Sequence, residues 1–288
     1  MPRVPRTPHA PTPATPYFSV GARPYAPALD FYNHLVRTLR TQAVFHALPT
    51  LDLEAALHYA RTHGAGGVIV GKHLERQAMT LADDTDFSAV EAGAANAMLI
   101  AADGSTLAVN TVVSAVAAAL KRARVRPSDS VLVHGAGAPA SAVCAALRLH
   151  GNQDVTITGR NEHAGRLMAA LHGFRWAPMV PRDTHVLINA TPLGDMGPLA
   201  QEFSLPAEAV VDANAVIDLA LGPHSTPVVR LAREADVRAI PGMAIVADQW
   251  VSIFRTFTGS RVRGGLVDRA LREAYAPASS RRGRSVPA

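Results

Sequence analysis

The sequence predicts an α/β protein of two layered domains, and three observations carry that prediction. Short β-rich runs alternate with helix-length amphipathic stretches along the chain, a pattern that implies parallel strands covered by helices. The alternation halts at the turn Pro127-Ser128-Asp129 and then restarts. The restart opens on an apolar strand that runs into a glycine loop and an alanine-rich helix. The chain has 288 residues, and domains of roughly 100–200 residues make that length suit two. Apolar residues at 48% against 18% charged residues exclude a chain disordered throughout.

Residues 1–16 hold six prolines and no apolar periodicity, which predicts a disordered lead. Residues 17–126 form the first domain. Its helices are expected at 28–40, 51–63, 74–82, 88–95 and 111–124, and its strands at 43–48, 67–70, 97–101 and 106–109. The second domain, 127–242, begins with the strand Val131 to His134. It continues through VTITGR (155–160), AGRLMAALHGF (164–174), HVLINAT (185–191), AVVDANA (209–215), TPVVRLAREA (226–235) and VRAIPG (237–242). Within it, the AVVDANA segment reads as a strand whose end carries Asp212 and Asn214. Helices at 243–257 and 264–273 are expected to return to the first domain, so that 243–275 closes the fold, and 276–288 is a basic tail.

Composition excludes several function classes. The two tails together carry five arginines and no acid, which is the whole of the formal +5, so the body is neutral. Specific nucleic-acid binding needs a groove-sized basic patch, and none is visible. No apolar run approaches the roughly 18 residues of a membrane span. The single cysteine, Cys144, cannot form an internal disulfide or a cysteine-built zinc site, and its alanine-rich surroundings fit a reducing cytoplasm. The twelve histidines are scattered without metal-ligand spacing, so no metal is expected.

The glycine loop reads Gly135-Ala136-Gly137-Ala138-Pro139-Ala140, a G-x-G-x-x-A motif with strand before and helix after. Gly135 permits the tight turn, Gly137 lets the backbone approach a pyrophosphate, and Ala140 brings the helix close to the strand. The helix N-terminus then offers free N–H groups to the anion. After the next strand an NAD site carries an acid for the ribose hydroxyl, whereas this chain has Gly159-Arg160-Asn161. A guanidinium suits a 2′-phosphate, so NADP is the expected cofactor.

The order and spacing of VLVHGAGAPASAV, TGRN, VLINATPLGDMG, VVDANA and TPVVRLAREADVRAIPGMAIVADQWVSIFRTFTG resemble the shikimate dehydrogenase family, in particular its divergent shikimate-dehydrogenase-like branch. SVGARPYAPALDFYNHL, GGVIVGKHLE, AVEAGAANAMLI and STLAVNT extend the resemblance more loosely through the first domain, so that it spans about 17–275. It implies an N-terminal substrate domain and a Rossmann-type, doubly wound NADP domain. It also implies hydride transfer between NADP and 3-dehydroshikimate or a related ring hydroxy acid, as in aromatic amino acid biosynthesis.

By the same resemblance Gly135, Gly137, Ala140, Thr158, Arg160, Asn161, Asn189, Thr191, Gly242 and Met243 bind the cofactor. Ser19, Asn96, Asn110 and Gln249 bind substrate, with Thr111 following Asn110 in the family's N-T pair. Three departures stand out. The family's S-x-S carboxylate site keeps only Ser19, with Arg23 nearby as either a replacement carboxylate donor or a surface charge. Val112 occupies the place of the family aspartate. Glu75 falls in the column of the catalytic lysine, with Lys72 three residues earlier. Lys72 is therefore the expected electrophilic acid, with His73 as the alternative. The expected partner is a small-molecule substrate, and the expected assembly a monomer or homodimer. The alternative function is a non-catalytic NADP-binding sensor or regulatory protein.

Overall fold

The computed structural model describes residues 13–222 and 225–275. The expected basic tail and the first twelve residues of the expected lead lie outside them. The described residues build two six-stranded sheets, and helices cover both.

The first half runs β1 (Thr15–Gly21), α1 (Ala26–Leu39), β2 (Ala43–Pro49), α2 (Leu53–Thr62), β3 (Gly67–Val70), α3 (Glu75–Leu81), β4 (Asp84–Thr85), α4 (Phe87–Ala92), β5 (Ala97–Ile100), β6 (Thr106–Val109) and α5 (Thr111–Ala123). Its strand order is β2-β1-β3-β5-β6-β4. Strand β1 begins inside the segment expected to be lead, and the sequence offered no strand there. Flanking prolines obscure it, and both of its faces are covered: Tyr17 joins one core cluster while Phe18 and Val20 join another. A strand buried on both sides loses the polar alternation that would reveal it.

The expected all-parallel pairing needs correction here. β1 is parallel to β2 and β3, but β5 is antiparallel to both β3 and β6. A hairpin joins β5 and β6, with Gly104 at φ +86° and the Asp103 carboxylate accepting from the Ser105 N–H and hydroxyl. So short a connection has no room for the crossover that a parallel pair requires.

The second half runs β7 (Val131–His134), α6 (Ala138–His150), β8 (Val155–Thr158), α7 (Glu162–His172), β9 (Arg175–Trp176), β10 (Val186–Asn189), α8 (Ala207–Asp212), β11 (Ala215–Asp218), α9 (Pro227–Glu234), β12 (Arg238–Ile240), α10 (Gly242–Thr258) and α11 (Gly264–Ala274). All its strands are parallel, in the order β12-β11-β10-β7-β8-β9. The chain starts in the middle and winds outward in both directions. A crevice therefore opens at the carboxyl ends of β7 and β10, where the order reverses.

The AVVDANA segment, read as a strand, lies in the short helix α8 through Asp212, and the strand begins only at Ala215. A run of only three apolar residues, Ala209 to Val211, fits either state by periodicity alone. Asp212 consequently lies exposed at a helix end, far from the role a strand end would give it.

Alanines let helices bind the halves together. In α6, every residue from Ala140 to Leu147 is buried, and the same core cluster takes in Val113, Val116 and Leu120 of α5. The closing helices lie over the first sheet, where Trp250, Phe254 and Phe257 of α10 pack with Tyr17, Phe31, Tyr32 and Phe45. The Tyr17 hydroxyl donates to the Phe257 carbonyl at 2.6 Å. Burying one such ring contributes on the order of 1.5–3 kcal/mol, which fixes α10 as one wall of the space between the sheets.

Candidate active site

Between the two halves lies a cleft of about 1440 Å³, walled by the carboxyl ends of β1, β3, β7 and β10 and by α10. That exceeds the roughly 300–1,000 Å³ of an ordinary ligand pocket and leaves room for an extended ligand beside a small one.

The second-half wall centres on the glycine loop. Gly135 takes φ +129°, and a Cβ there would sit 2.9 Å from the Ala190 carbonyl oxygen. Its N–H donates to Thr158 O at 2.8 Å, while the Ala190 N–H donates to His134 O at 2.8 Å. The loop is thereby sewn to both neighbouring strands at the switch point. Gly137 is the N-cap of α6 and provides no side-chain acceptor, so the first-turn N–H groups remain open. Ala140 is fully buried behind the loop.

Arg160 is exposed on the cleft wall, and its guanidinium has no hydrogen bond or ion pair among the described residues. Asn161 also lines the cleft, but its Oδ1 accepts from the Ala164 N–H at 3.0 Å to cap α7. Burial pushes the His134 imidazole below its usual range, and the charge on Arg160 adds to that. A glycine cradle, open N–H groups and an unpaired guanidinium suit a dinucleotide with a 2′-phosphate.

Four residues expected to bind cofactor do not line the cleft. Ala140 and Thr158 are buried, and Met243 is half-buried outside the cleft lining. Asn189, fully buried, spends its side chain on local structure. Its Nδ2 donates to Leu193 O (3.1 Å) and to Asp218 Oδ1 (2.8 Å), while its Oδ1 accepts from the N–H (3.0 Å) and hydroxyl (2.7 Å) of Thr191. Asn189 is therefore the residue that shapes the turn, and Thr191 is the one that reaches the cleft.

Asp218, which sequence reasoning passed over in favour of Asp212, is the anchor of that turn. It is 0% exposed and accepts from Asn189, from the Ala220 N–H at 3.0 Å and from the Thr226 hydroxyl. Burial pushes its carboxyl up, and those donors pull it back. Gly242 opens α10 against the same loop.

The first-half wall holds Ser19, Arg23, Lys72, Asn96, Asn110 and Gln249, all of which line the cleft. Asn96 and Thr111 clasp each other: Asn96 Nδ2 donates to Thr111 Oγ1 at 2.9 Å and Asn96 Oδ1 accepts from the Thr111 N–H at 2.9 Å. Asn110 Nδ2 donates to Ala94 O at 2.8 Å, and its Oδ1 caps α5 by accepting from the Val112 N–H at 3.1 Å. Each amide nitrogen carries two hydrogens, so each keeps one N–H for a ligand. Gln249 has no hydrogen bond among the described residues and projects from α10 into the space. A Cβ on Gly71 would meet Val20 O at 2.9 Å, so the ends of β1 and β3 approach closely and hold Ser19 beside the Lys72 turn.

Lys72 and His73 are exposed in the turn that precedes α3, and Glu75 is half-buried at its start. Residues 72–74 form a turn ahead of the helix, so Lys72 enters the cleft from that turn and not from α3. Burial pushes the Glu75 carboxyl up to about 7, although Lys72 pulls it down. The sequence marked this position by alignment alone, and only packing makes the group unusual.

No described residues group three or more His, Cys, Asp or Glu side chains as a metal site, and no described helix is long and apolar enough to cross a membrane.

No family model matches the chain. A shikimate dehydrogenase (NADP(+)) of Rubrobacter xylanophilus is 32% identical over 239 residues, covering 78% of this chain and 82% of the relative. A shikimate dehydrogenase-like protein of Haemophilus influenzae is 27% identical over 254 residues, covering 88% and 93%. Among solved structures, a shikimate 5-dehydrogenase-like protein superposes with TM-score 0.87 at 26% identity, covering 91% of this chain and 97% of that one. Shikimate 5-dehydrogenase of Thermus thermophilus, solved in complex with NADP(H) and shikimate, gives TM-score 0.80 at 26% identity over 90% and 99%. The chain thus matches these relatives over 82–99% of their length. The chain belongs to the shikimate dehydrogenase family.

Proposed function

We propose that the protein is an NADP-dependent oxidoreductase that reduces the carbonyl of 3-dehydroshikimate, or of a related ring hydroxy acid, to the alcohol. The observation that carries this reading is the division of the cleft: an open glycine loop with an unpaired Arg160 on one wall, and Asn96, Asn110 and Gln249 on the other. When bound, the nicotinamide supplies the hydride. The chain's own residues do the rest. Gly135, Gly137 and the α6 N-terminus hold the pyrophosphate, and Arg160 holds the 2′-phosphate. Thr191 and the Gly242 backbone border the nicotinamide. The remaining N–H groups of Asn96 and Asn110 and the amide of Gln249 hold ring hydroxyls, while Ser19 and Arg23 take the carboxylate. Lys72 places positive charge where the carbonyl oxygen gains electrons. Such a reaction fits aromatic amino acid biosynthesis in a reducing cytoplasm.

Val112 gives one specific reason for a second reading, a non-catalytic NADP-binding sensor, because an isopropyl group can neither orient a cation nor relay a proton. Losing that assistance costs roughly 10²–10⁴-fold in rate, so slow turnover on shikimate is expected. Calorimetric titration with NADPH, followed by nicotinamide absorbance with shikimate and NADP, separates the readings. Binding with turnover supports the enzyme, and binding without turnover on either shikimate or quinate supports the sensor.

Arg160→Ala is expected to weaken NADPH by roughly 10–100-fold, the loss of a charge-assisted contact of about 1.5–3 kcal/mol, and to leave NADH nearly unchanged. Equal losses for both nucleotides would remove Arg160 from the 2′-phosphate site.

A further inference from the structure

We propose that Glu75 is the proton donor of carbonyl reduction and the proton acceptor of the reverse reaction, with Lys72 as the neighbouring positive charge. This rests on the oxidoreductase reading above and assigns the acid that reading leaves open.

Three carboxyl groups line the cleft: Glu75, Glu162 and Asp195. Two are committed elsewhere. Glu162 is exposed and pairs with Arg166 at 2.8 Å, and Asp195 accepts from the N–H groups of Met196 (2.8 Å) and Leu221 (3.2 Å). Glu75 alone stands on the first-half wall, and its side chain has no hydrogen bond or ion pair within contact distance among the described residues. Its backbone carbonyl accepts from the Ala95 N–H at 2.9 Å, which ties it directly to the segment that presents Asn96. A group that places the acid and a group that holds a ring hydroxyl are thus set one beside the other. Ile69, Val70 and Val112 line the same cleft and are apolar, and Glu75 itself is half-buried, so it is not sealed from water. Burial accordingly raises it to about 7 while Lys72 opposes the rise. An acid poised near neutrality both donates and recovers a proton readily.

Besides Glu162, Asp195, Tyr25 and Tyr32, five ionisable groups among the described residues share the cleft with Glu75. Lys72 and His73 precede it in the same turn, Arg23 comes from the loop after β1, and His134 and Arg160 stand on the opposite wall. Helix α2, packed beside α3, contributes Leu53 and Leu57 to their shared core and leaves Glu54, His58 and Arg61 exposed. From α5, Val112 lines the cleft and carries no charge.

The step balances as follows. The carbonyl carbon accepts a hydride, with its electron pair, from a dihydronicotinamide. The C=O π pair moves onto oxygen, the Glu75 O–H bond breaks, and that proton forms the alcohol O–H. The resulting carboxylate, held beside Lys72, recovers a proton from solvent at the exposed end of the turn. Reduction therefore needs Glu75 protonated and declines as pH rises through about 7, whereas alcohol oxidation needs the carboxylate and gains over the same range. A lysine acid, with an ordinary pKa of about 10.4, would leave reduction flat there.

The test uses the full-length protein, NADPH and 3-dehydroshikimate. Wild-type reduction is expected to fall with a single break near pH 7. Glu75→Gln is expected to lose roughly 10²–10⁴-fold in kcat and the break with it, while NADPH affinity by calorimetry stays the same, which also reports that the variant folds. Lys72→Ala is expected to move the break upward. Independently of turnover, infrared titration of the nucleotide-free protein is expected to reveal a carboxyl band that disappears near neutrality in the wild type and is missing in Glu75→Gln. Turnover with a flat wild-type profile, a break that survives in Glu75→Gln, or no such carboxyl band overturns the assignment and leaves the oxidoreductase reading standing. No wild-type turnover at any pH overturns both.

Discussion

Asp218→Ala is expected to destabilise the protein by about 3–5 kcal/mol, because the change removes the acceptor for several buried donors at once. The carboxylate is 0% exposed and satisfies Asn189 Nδ2, the Ala220 N–H and the Thr226 hydroxyl. Alanine leaves the Ala220 N–H, the Thr226 hydroxyl and one N–H of Asn189 without that acceptor, in a place that water reaches poorly, while the other Asn189 N–H keeps Leu193 O. The damage should spread to the site, since Asn189 holds Thr191 through two hydrogen bonds and Thr191 borders the cleft. NADPH affinity should therefore fall together with the denaturant midpoint. Asp218→Asn keeps one acceptor oxygen and should lose about half as much. Urea titration of the wild type and both variants is the measurement. A loss below roughly 1 kcal/mol for alanine, within the range of an ordinary point substitution, would mean that the carboxylate does not organise the turn.

Gly242→Ala is expected to cost about 3 kcal/mol, at the upper end for an overpacked site, and to weaken NADPH tenfold or more, a loss of roughly 1.4 kcal/mol. The new Cβ would lie 2.3 Å from Ala220 O and 3.0 Å from the Ala220 and Leu219 carbonyl carbons. All of these are backbone atoms and cannot swing aside, so either α10 or the loop after β11 must move. Both border the cleft, and the chain beyond Gly242 carries Gln249 on the same helix. Gly265→Ala in α11 is the control: open space surrounds its Cβ position, and removing a helical glycine stabilises by up to about 1 kcal/mol. Thermal unfolding of the two variants, with NADPH titration of each, gives the comparison. Equal melting temperatures for both would contradict the close approach at Gly242.

What could be read in advance follows the range of the interactions involved. The glycine loop was legible because its constraints are local: a turn that needs positive φ at Gly135 and a helix that starts three residues later are written in adjacent letters. Arg160 was legible for the same reason, at the end of a strand whose distance from the loop is set by one intervening helix. The family was legible in the order of such pieces. Strand β1 was not, since its evidence of burial lies in α1, α2 and α10, which cover it from both sides. The antiparallel β5 was misjudged because helix–strand alternation along the chain does not report that one connection is too short to cross over.

The chemistry divides along the same line. Sequence by itself determined that a G-x-G-x-x-A loop joins a strand to a helix, that an arginine follows the next strand, and that Val112 stands in place of the family aspartate. Tertiary structure alone decided which of the polar residues are free to act. It spent Asn189 on a turn, clasped Asn96 to Thr111, set Asp218 rather than Asp212 at the strand end, and lifted Glu75 to about 7. Hydrogen-bond satisfaction and desolvation depend on whatever other parts of the chain fold against a side chain, and the letters flanking a residue do not record that.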